Sequence, residues 1–290
     1  MEKDIIQVIN KSGLLFDGAM GTMLIDKGLE SDKVSEYCNL ARQGILREVH
    51  AAYLNAGAEI LTTNTFGGSR LKLEKAGLAD KVEEINYNAA QIARKVTGNH
   101  FVAGDLGPSG YMLQPLGPKD PKEIRDNYAE QTEYLIKGGA DIILIETMFD
   151  LNEMLAALKG VKSVTDAPVF TTMTFEKKPP GFVTVMGNQL EDSLKTLLDN
   201  GATVVGANCS IGSDEMLLLA REIRDLIDDS PLMVQPNAGM PQTKGEQVIY
   251  PESPDLFSDN IAQIKKLGIE IVGGCCGTNP NHIKNIKNKI

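Results

Sequence analysis

The chain has 290 residues, 42% of them hydrophobic and 23% charged, with a formal net charge of -10 at pH 7. This acidic balance excludes a broad phosphate-binding surface, since non-specific affinity for nucleic acid comes from clustered Lys and Arg. No long apolar span and no charged leader followed by an apolar run is present, so a soluble, cytoplasmic protein is expected, with neither nucleic acid nor membrane as a partner.

Residues 1–11 read as a short leading helix, after which Leu14-Leu15-Phe16 runs into Asp17-Gly18-Ala19-Met20-Gly21-Thr22. A short apolar run thus ends in a carboxylate and a glycine-rich turn. The pattern recurs at Ile60-Leu61-Thr62-Thr63 before Asn64, at Phe101-Val102-Ala103-Gly104 before Asp105, and at Ile142-Ile143-Leu144-Ile145 before Glu146. It returns at 169–173 before Thr174, at 204–207 before Asn208-Cys209, at 232–235 before Pro236-Asn237, and at 269–272 before Gly273-Gly274-Cys275. Between these eight runs lie helical patterns, such as the apolar face of Ile45, Val49, Ala52, Tyr53 and Ala56. Several stop at a glycine just before the next run, at Gly57, Gly139, Gly201 and Gly268, as a left-handed helix C-cap requires. Asn279-Pro280 opens the last helix as N-cap and first helical residue.

Eight strand–helix alternations without a linker-like break predict an α/β fold, a single (β/α)8 TIM barrel over residues 1–290. A doubly wound open sheet is disfavoured, because no Gly-x-Gly-x-x-Gly turn follows the first strand. In a barrel the active site is built at the C-terminal ends of the strands. Asp17, Asn64, Asp105, Glu146, Cys209, Asn237, Cys275 and Cys276 are therefore expected on one rim. Position alone leaves Asp17 and Glu146 open to a second reading as helix caps or salt-bridge partners. Asp105 is assigned to a turn beside Gly107-Pro108, and Met173 and Met240 to packing.

Four cysteines are too few and too unevenly spaced for a disulfide framework. Cys38 stands apart and reads as a buried structural residue. Cys275 and Cys276 are adjacent, and neighbouring side chains on a strand point to opposite faces. They can serve one centre only where the strand ends and bends, which Gly273, Gly274 and Gly277 allow. With Cys209 they can form a three-thiolate zinc site at the C-terminal ends of the strands, its fourth position open for chemistry. A zinc dication with three thiolates carries a net charge of about -1, which suits making a substrate sulfur nucleophilic at neutral pH. His50, His100 and His282 lie away from the predicted strand ends. A redox pair or an inert buried pair at Cys275-Cys276 remains an alternative.

The combination of Phe16-Asp17-Gly18-Ala19-Met20-Gly21-Thr22, Thr63-Asn64-Thr65-Phe66, Glu146-Thr147, Asn208-Cys209, Pro236-Asn237-Ala238-Gly239 and Gly273-Gly274-Cys275-Cys276-Gly277-Thr278 resembles the homocysteine S-methyltransferase family over nearly the whole chain. Within that family, Pro-Asn-Ala-Gly and Met173-Thr174-Phe175 look like the homocysteine-binding module of cobalamin-dependent methionine synthase. The resemblance implies a methyltransferase of methionine biosynthesis in which Cys209, Cys275 and Cys276 bind zinc and the homocysteine sulfur takes the open position. It implies that Asp17 and Glu146 hold the substrate ammonium, and that backbone N–H groups of Gly18, Ala19, Met20, Gly21 and Thr22 receive its carboxylate. Asn237 would occupy zinc when substrate is absent.

The chain departs from the full methionine synthase pattern in carrying no second, folate-binding barrel and no Asp-x-His-x-x-Gly cobalamin-ligand motif. The methyl donor is therefore expected from outside these residues. A methyl-corrinoid protein or domain, bringing methylcobalamin over the barrel mouth, is the first expectation; S-methylmethionine or betaine is the second. A non-catalytic corrinoid- or metal-binding module with structural zinc is the non-enzymatic alternative.

Overall fold

The computed structural model describes residues 4–30, 34–179, 181–245 and 247–290. Eight parallel strands form its centre: β1 (Leu14–Leu15), β2 (Ile60–Thr62), β3 (Phe101–Leu106), β4 (Ile142–Met148), β5 (Val169–Met173), β6 (Val204–Asn208), β7 (Leu232–Gln235) and β8 (Ile271–Val272). From β2 to β8 each strand pairs with its neighbour in sequence, and β1 pairs with β8, Leu14 opposite Ile271. The seam between β1 and β2 closes through a parallel bridge of Phe16 with Ile60, where the Glu59 N–H donates to the Leu15 carbonyl at 2.8 Å. The sheet is thus a nearly closed parallel barrel with helices between its strands, as the eight apolar runs predict.

Side-chain alternation divides the strand residues into two sets. Leu14, Phe16, Ile60, Phe101, Ala103, Ile142, Leu144, Phe170, Val204, Met233 and Ile271 pack together inside the barrel. Their neighbours, among them Leu15, Leu61, Ile143, Ile145, Val205, Val234 and Val272, face the surrounding helices. The floor of the interior is closed by the helix Ile5–Ser12, whose Ile5 and Ile9 pack against the inward set. Its N-cap is Asp4, whose side chain accepts from the Ile6 N–H at 3.0 Å.

The same parity continues upward, and there it turns polar. Along β3 the inward series is Phe101, Ala103, Asp105; along β4 it is Ile142, Leu144, Glu146; along β6 it is Val204, Gly206, Asn208. An apolar lower layer fixes the barrel, and its C-terminal end presents carboxylates and amides to one opening.

The helix boundaries follow the predicted caps. Gly57, Gly139, Gly201 and Gly268 all hold positive φ, between 86° and 103°. Asn279 caps the helix Pro280–Lys289 in a capping box with His282. That pairing employs His282 in the fold. His50 is buried on the helix Gln43–Asn55, and Cys38 is buried in the core, as expected of a structural residue. Met173 is fully buried, but Met240 is 54% exposed, so its assignment to packing is corrected. No helix among the described residues is long and apolar enough to cross a membrane.

Candidate metal centre and active site

Cys209 follows β6, and Cys275 and Cys276 follow β8, so β7 stands between the two sources of sulfur. The end of β7 and the chain just after it tie both sides together. The Cys209 N–H donates to the Gln235 carbonyl at 3.0 Å, the Cys275 N–H to the Pro236 carbonyl at 2.8 Å, and the Ala238 N–H to the Cys276 carbonyl at 2.9 Å. On its other side the Gly274 N–H donates to the Asp17 carbonyl, joining the cysteine turn to the end of β1.

The glycines of the turn have separate reasons. Gly273 and Gly274 are sites of close approach: a Cβ would lie 2.7 Å from the Phe16 side chain at the first and 2.5 Å from Thr278 Oγ1 at the second. Gly277 alone of the three has a left-handed backbone, with φ at 80°, and the Tyr250 side chain packs directly against it.

All three cysteines are free thiols whose Sγ atoms lie within 4.8 Å of one another. Cys209 to Cys276 is 4.0 Å and Cys275 to Cys276 is 3.9 Å. Tetrahedral zinc–sulfur bonds of about 2.3 Å place two sulfurs about 3.8 Å apart, so this trio fits one thiophilic ion with small adjustment. Among the described residues it is the one His/Cys/Asp/Glu cluster with metal-holding geometry. Hydrogen bonding to Cys209, with burial adding to it, holds the Cys275 and Cys276 thiols up, while hydrogen bonding from Cys275 and Cys276 pulls the Cys209 thiol down.

The trio borders a chamber of about 330 Å³ that also contains Asp17, Glu36, Asp105 and Glu146. No Lys, Arg or His lines it among the described residues. Asp17 is fixed to the end of β2, its two oxygens accepting from the Thr62 N–H at 2.9 Å and the Thr62 hydroxyl at 2.8 Å. Burial pushes the Asp17 carboxyl up to about 7. Glu146 is pushed up by burial and by the neighbouring Cys209 and Asp17 charges. Burial raises the Asp105 carboxyl well above the ordinary carboxylate range, with Glu146, Glu36 and Asp17 adding repulsion. Its Oδ1 is buried without a hydrogen-bond partner. The chamber therefore calls for positive charge.

Asp105 corrects its assignment to a turn: it is the inward residue of β3, directly above Phe101 and Ala103. Glu36 comes from a 3-10 turn, Ser35–Tyr37, held near β2 by the Asn64 side chain, which donates to the Ser35 carbonyl at 2.8 Å. No strand-end pattern marks it in sequence. The chamber also takes in Gly18, Ala19, Met20, Gly21 and Thr22. A helix, Met20–Asp26, begins there without a side-chain cap, while the Ala19 N–H is already engaged by Thr278 Oγ1 at 3.1 Å. Asn237 is buried beside Cys209, outside the lining, and its Oδ1 has no partner.

Backbone strain is concentrated here. Among the described non-glycine residues, Thr147, Cys209 and Ser210 have positive φ, at 61°, 58° and 62°. Such conformations cost on the order of 1–3 kcal/mol each and persist where surrounding contacts over-determine them.

Fold and site together define a parallel α/β barrel that can mount a thiophilic metal at the edge of a carboxylate-lined chamber. The chain belongs to the homocysteine S-methyltransferase family, whose sequence profile matches residues 14–290. Methionine synthase of Mycobacterium leprae (strain TN) is 33% identical over 306 aligned residues, covering 98% of this chain and 25% of that protein. Methionine synthase of Mycobacterium tuberculosis (strain ATCC 25618 / H37Rv) matches with the same identity and coverage. The chain thus spans about a quarter of the length of these curated relatives. Among solved structures, the homocysteine methyltransferase MmuM from Escherichia coli in its metallated form superposes with a TM-score of 0.84 at 22% identity, covering 99% of this chain and 100% of that one. Its oxidised form gives 0.83 at 23%, with the same coverage. At such identity the likeness is one of fold.

Proposed function

We propose that residues 1–290 form one homocysteine-binding barrel that holds zinc through Cys209, Cys275 and Cys276 and methylates the homocysteine sulfur to give methionine. The observation that carries this reading is the contiguity of the sulfur trio with a carboxylate chamber lacking any Lys, Arg or His among its described residues. A thiol and an ammonium on one small amino acid satisfy both parts at once. Four free cysteines also suit a reducing, cytoplasmic setting.

Zinc in this trio supplies a Lewis-acidic position that favours the ionised form of a substrate thiol at neutral pH. Asp17 and Glu146 hold the substrate ammonium, which in turn stabilises their ionised forms and disperses the chamber's negative charge. The uncapped first turn at Met20, Gly21 and Thr22 offers backbone N–H groups to the substrate carboxylate. Asn237, with an unpartnered Oδ1 beside Cys209, is the chain's own oxygen donor to the metal when substrate is absent. With both ends of the amino acid fixed, its sulfur would be held at the cysteine trio on the edge of the chamber. It forms a bond to the donor's methyl carbon as the bond from that carbon to its carrier breaks.

The donor in the first reading is a methyl-corrinoid protein or domain. The chamber is too small to enclose a corrin ring, so such a carrier must present its methyl group from outside. The βα loops around the mouth offer apolar contacts to it: Phe66, Met112, Leu116, Val185, Met240 and Val248 are all exposed. A second reading has its own support, since an anionic chamber also favours a small onium donor such as S-methylmethionine or betaine. Purified protein with zinc and homocysteine, assayed for methionine with a methylated corrinoid protein, methylcobalamin, S-methylmethionine and betaine, separates them. Methionine from none of these donors would refute the enzymatic reading and leave a module with structural metal.

A further inference from the structure

We propose that Asn208 is a positioning residue which locks the Glu146 carboxylate and the Cys275 sulfur into one fixed arrangement, so that the ammonium clamp and the thiolate site address the same substrate in register. The inference rests on the roles proposed above for Glu146 and Cys275.

Asn208 ends β6 and is fully buried. Its Oδ1 accepts from the Thr147 N–H at 2.8 Å and from the Thr172 hydroxyl at 2.9 Å. A peptide N–H can only donate, so the orientation of the amide is fixed by its surroundings. Its Nδ2 must then face the opposite side, where it lies 3.0 Å from Glu146 Oε2, 2.8 Å from Thr147 Oγ1 and 3.9 Å from Cys275 Sγ. The two hydrogens of one amide are thus shared among the Thr147 hydroxyl, a substrate-facing carboxylate and, at longer range, a metal-facing sulfur.

The backbone around it is held in the conformation this requires. Thr147, whose N–H the amide binds, has φ at 61°, and the β4–β5 register shifts between Ile145 and Met148. Cys209 and Ser210, which follow Asn208, are the other non-glycine residues of positive φ among those described. Asn208 therefore sits between two left-handed kinks and bonds directly across to the first. That kink carries Glu146 on one side, and the second carries Cys209. No other residue type of this size offers an acceptor oxygen to both the Thr147 N–H and the Thr172 hydroxyl together with N–H donors on the side of Glu146 and Cys275. Aspartate would turn a second negative charge toward Glu146 and Cys275.

The test uses the full chain loaded with cobalt(II), whose thiolate-to-metal absorption reports on the sulfurs, and titrates homocysteine. N208D, N208A, E146Q and the double variant N208A/E146Q are compared, N208A serving if the charge of N208D prevents folding. Expected are retention of one cobalt per chain, a shifted thiolate band, and homocysteine affinity weakened at least about tenfold, the scale of a hydrogen bond to a charged group. In the E146Q background N208A should add less than about a twofold further loss, because residues acting through one another are not additive. An unchanged band together with affinity within about twofold of the parent, or full additivity with E146Q, would overturn the proposal. If the parent takes up cobalt but binds no homocysteine, the substrate assignment fails instead. The band in N208A then decides the Asn208–Cys275 relation alone, a shift supporting it and an unchanged band ending it.

Discussion

Cys209 Sγ and Cys276 Sγ lie 4.0 Å apart although they are separated by 67 positions in the chain and by a whole strand of the barrel. Neither belongs to a regular strand. Both follow strand ends, and both are hydrogen-bonded through their backbones to β7 or the chain just after it, Cys209 to Gln235 and Cys276 to Ala238. The sulfur cluster is thus a property of how the strand ends of the barrel assemble rather than of a local loop.

Removal of one sulfur should therefore empty the site without dissolving the fold. C275A or C276A is expected to reduce tightly bound zinc from one per chain to none and to abolish methionine formation, with the far-ultraviolet circular dichroism unchanged. Metal analysis of the dialysed variants checks this; a full complement of zinc in C276A contradicts the assignment.

The two proposed ammonium ligands should differ when neutralised. Asp17 spends both oxygens on Thr62, bracing the β1–β2 seam, whereas Glu146 is held through Asn208 at a single oxygen. D17N should weaken homocysteine binding and also lower unfolding stability by about 1–3 kcal/mol, because an amide cannot accept from both Thr62 donors in the same way. E146Q should weaken homocysteine binding while zinc content and stability stay close to those of the parent. Urea unfolding and homocysteine titration on the same preparations separate the two.

Gly277 should tolerate no side chain. Its φ of 80° strains any L-residue, and a Cβ would stand 2.1 Å from Tyr250 Cγ. G277A is expected to lose at least about 2 kcal/mol of stability. Adding Y250A should recover the part caused by overlap but not the part caused by φ. A fully recovered double variant would place the entire cost in the contact.

Much of this site could be read from the sequence because strand ends and sulfur chemistry leave local marks. Apolar runs stop at Asp17, Glu146, Cys209 and Cys275, and glycine caps close the helices before the next run. Asp105 was misassigned because Gly107-Pro108 beside it is itself a turn signal. The period-two series Phe101, Ala103, Asp105 was the signal that would have placed it inward. Asn208 was visible only as a neighbour of Cys209, since its role depends on contacts with Thr147 and Thr172 from two other strands. Glu36 left no mark, because a 3-10 turn reaches the chamber through tertiary hydrogen bonds, from the Asn64 side chain to the Ser35 carbonyl and from the Gly67 N–H to the Glu36 carboxylate.

The buried carboxylates set a pH dependence whose sign can be worked out. Folded Asp17 holds its proton up to about 7, whereas the unfolded chain releases it near 3.8. Its stabilising contribution is present in full below the unfolded value and is lost as pH rises through the folded one, with a slope approaching about 1.4 kcal/mol per pH unit. Asp105 and Glu146 are shifted in the same direction. Metal-free, substrate-free protein should therefore become easier to unfold in urea from pH 5 to pH 8. D105N, with one buried acid fewer, should show a shallower decline. A stability that rises over this range contradicts the protonated chamber.

The central claim is that the three cysteines leave one metal position for the sulfur of the substrate. X-ray absorption at the zinc edge, on the same protein before and after addition of homocysteine, tests it most directly. The account predicts three sulfurs and one lighter ligand without substrate, and four sulfurs with it. A coordination shell unchanged by saturating homocysteine would contradict it.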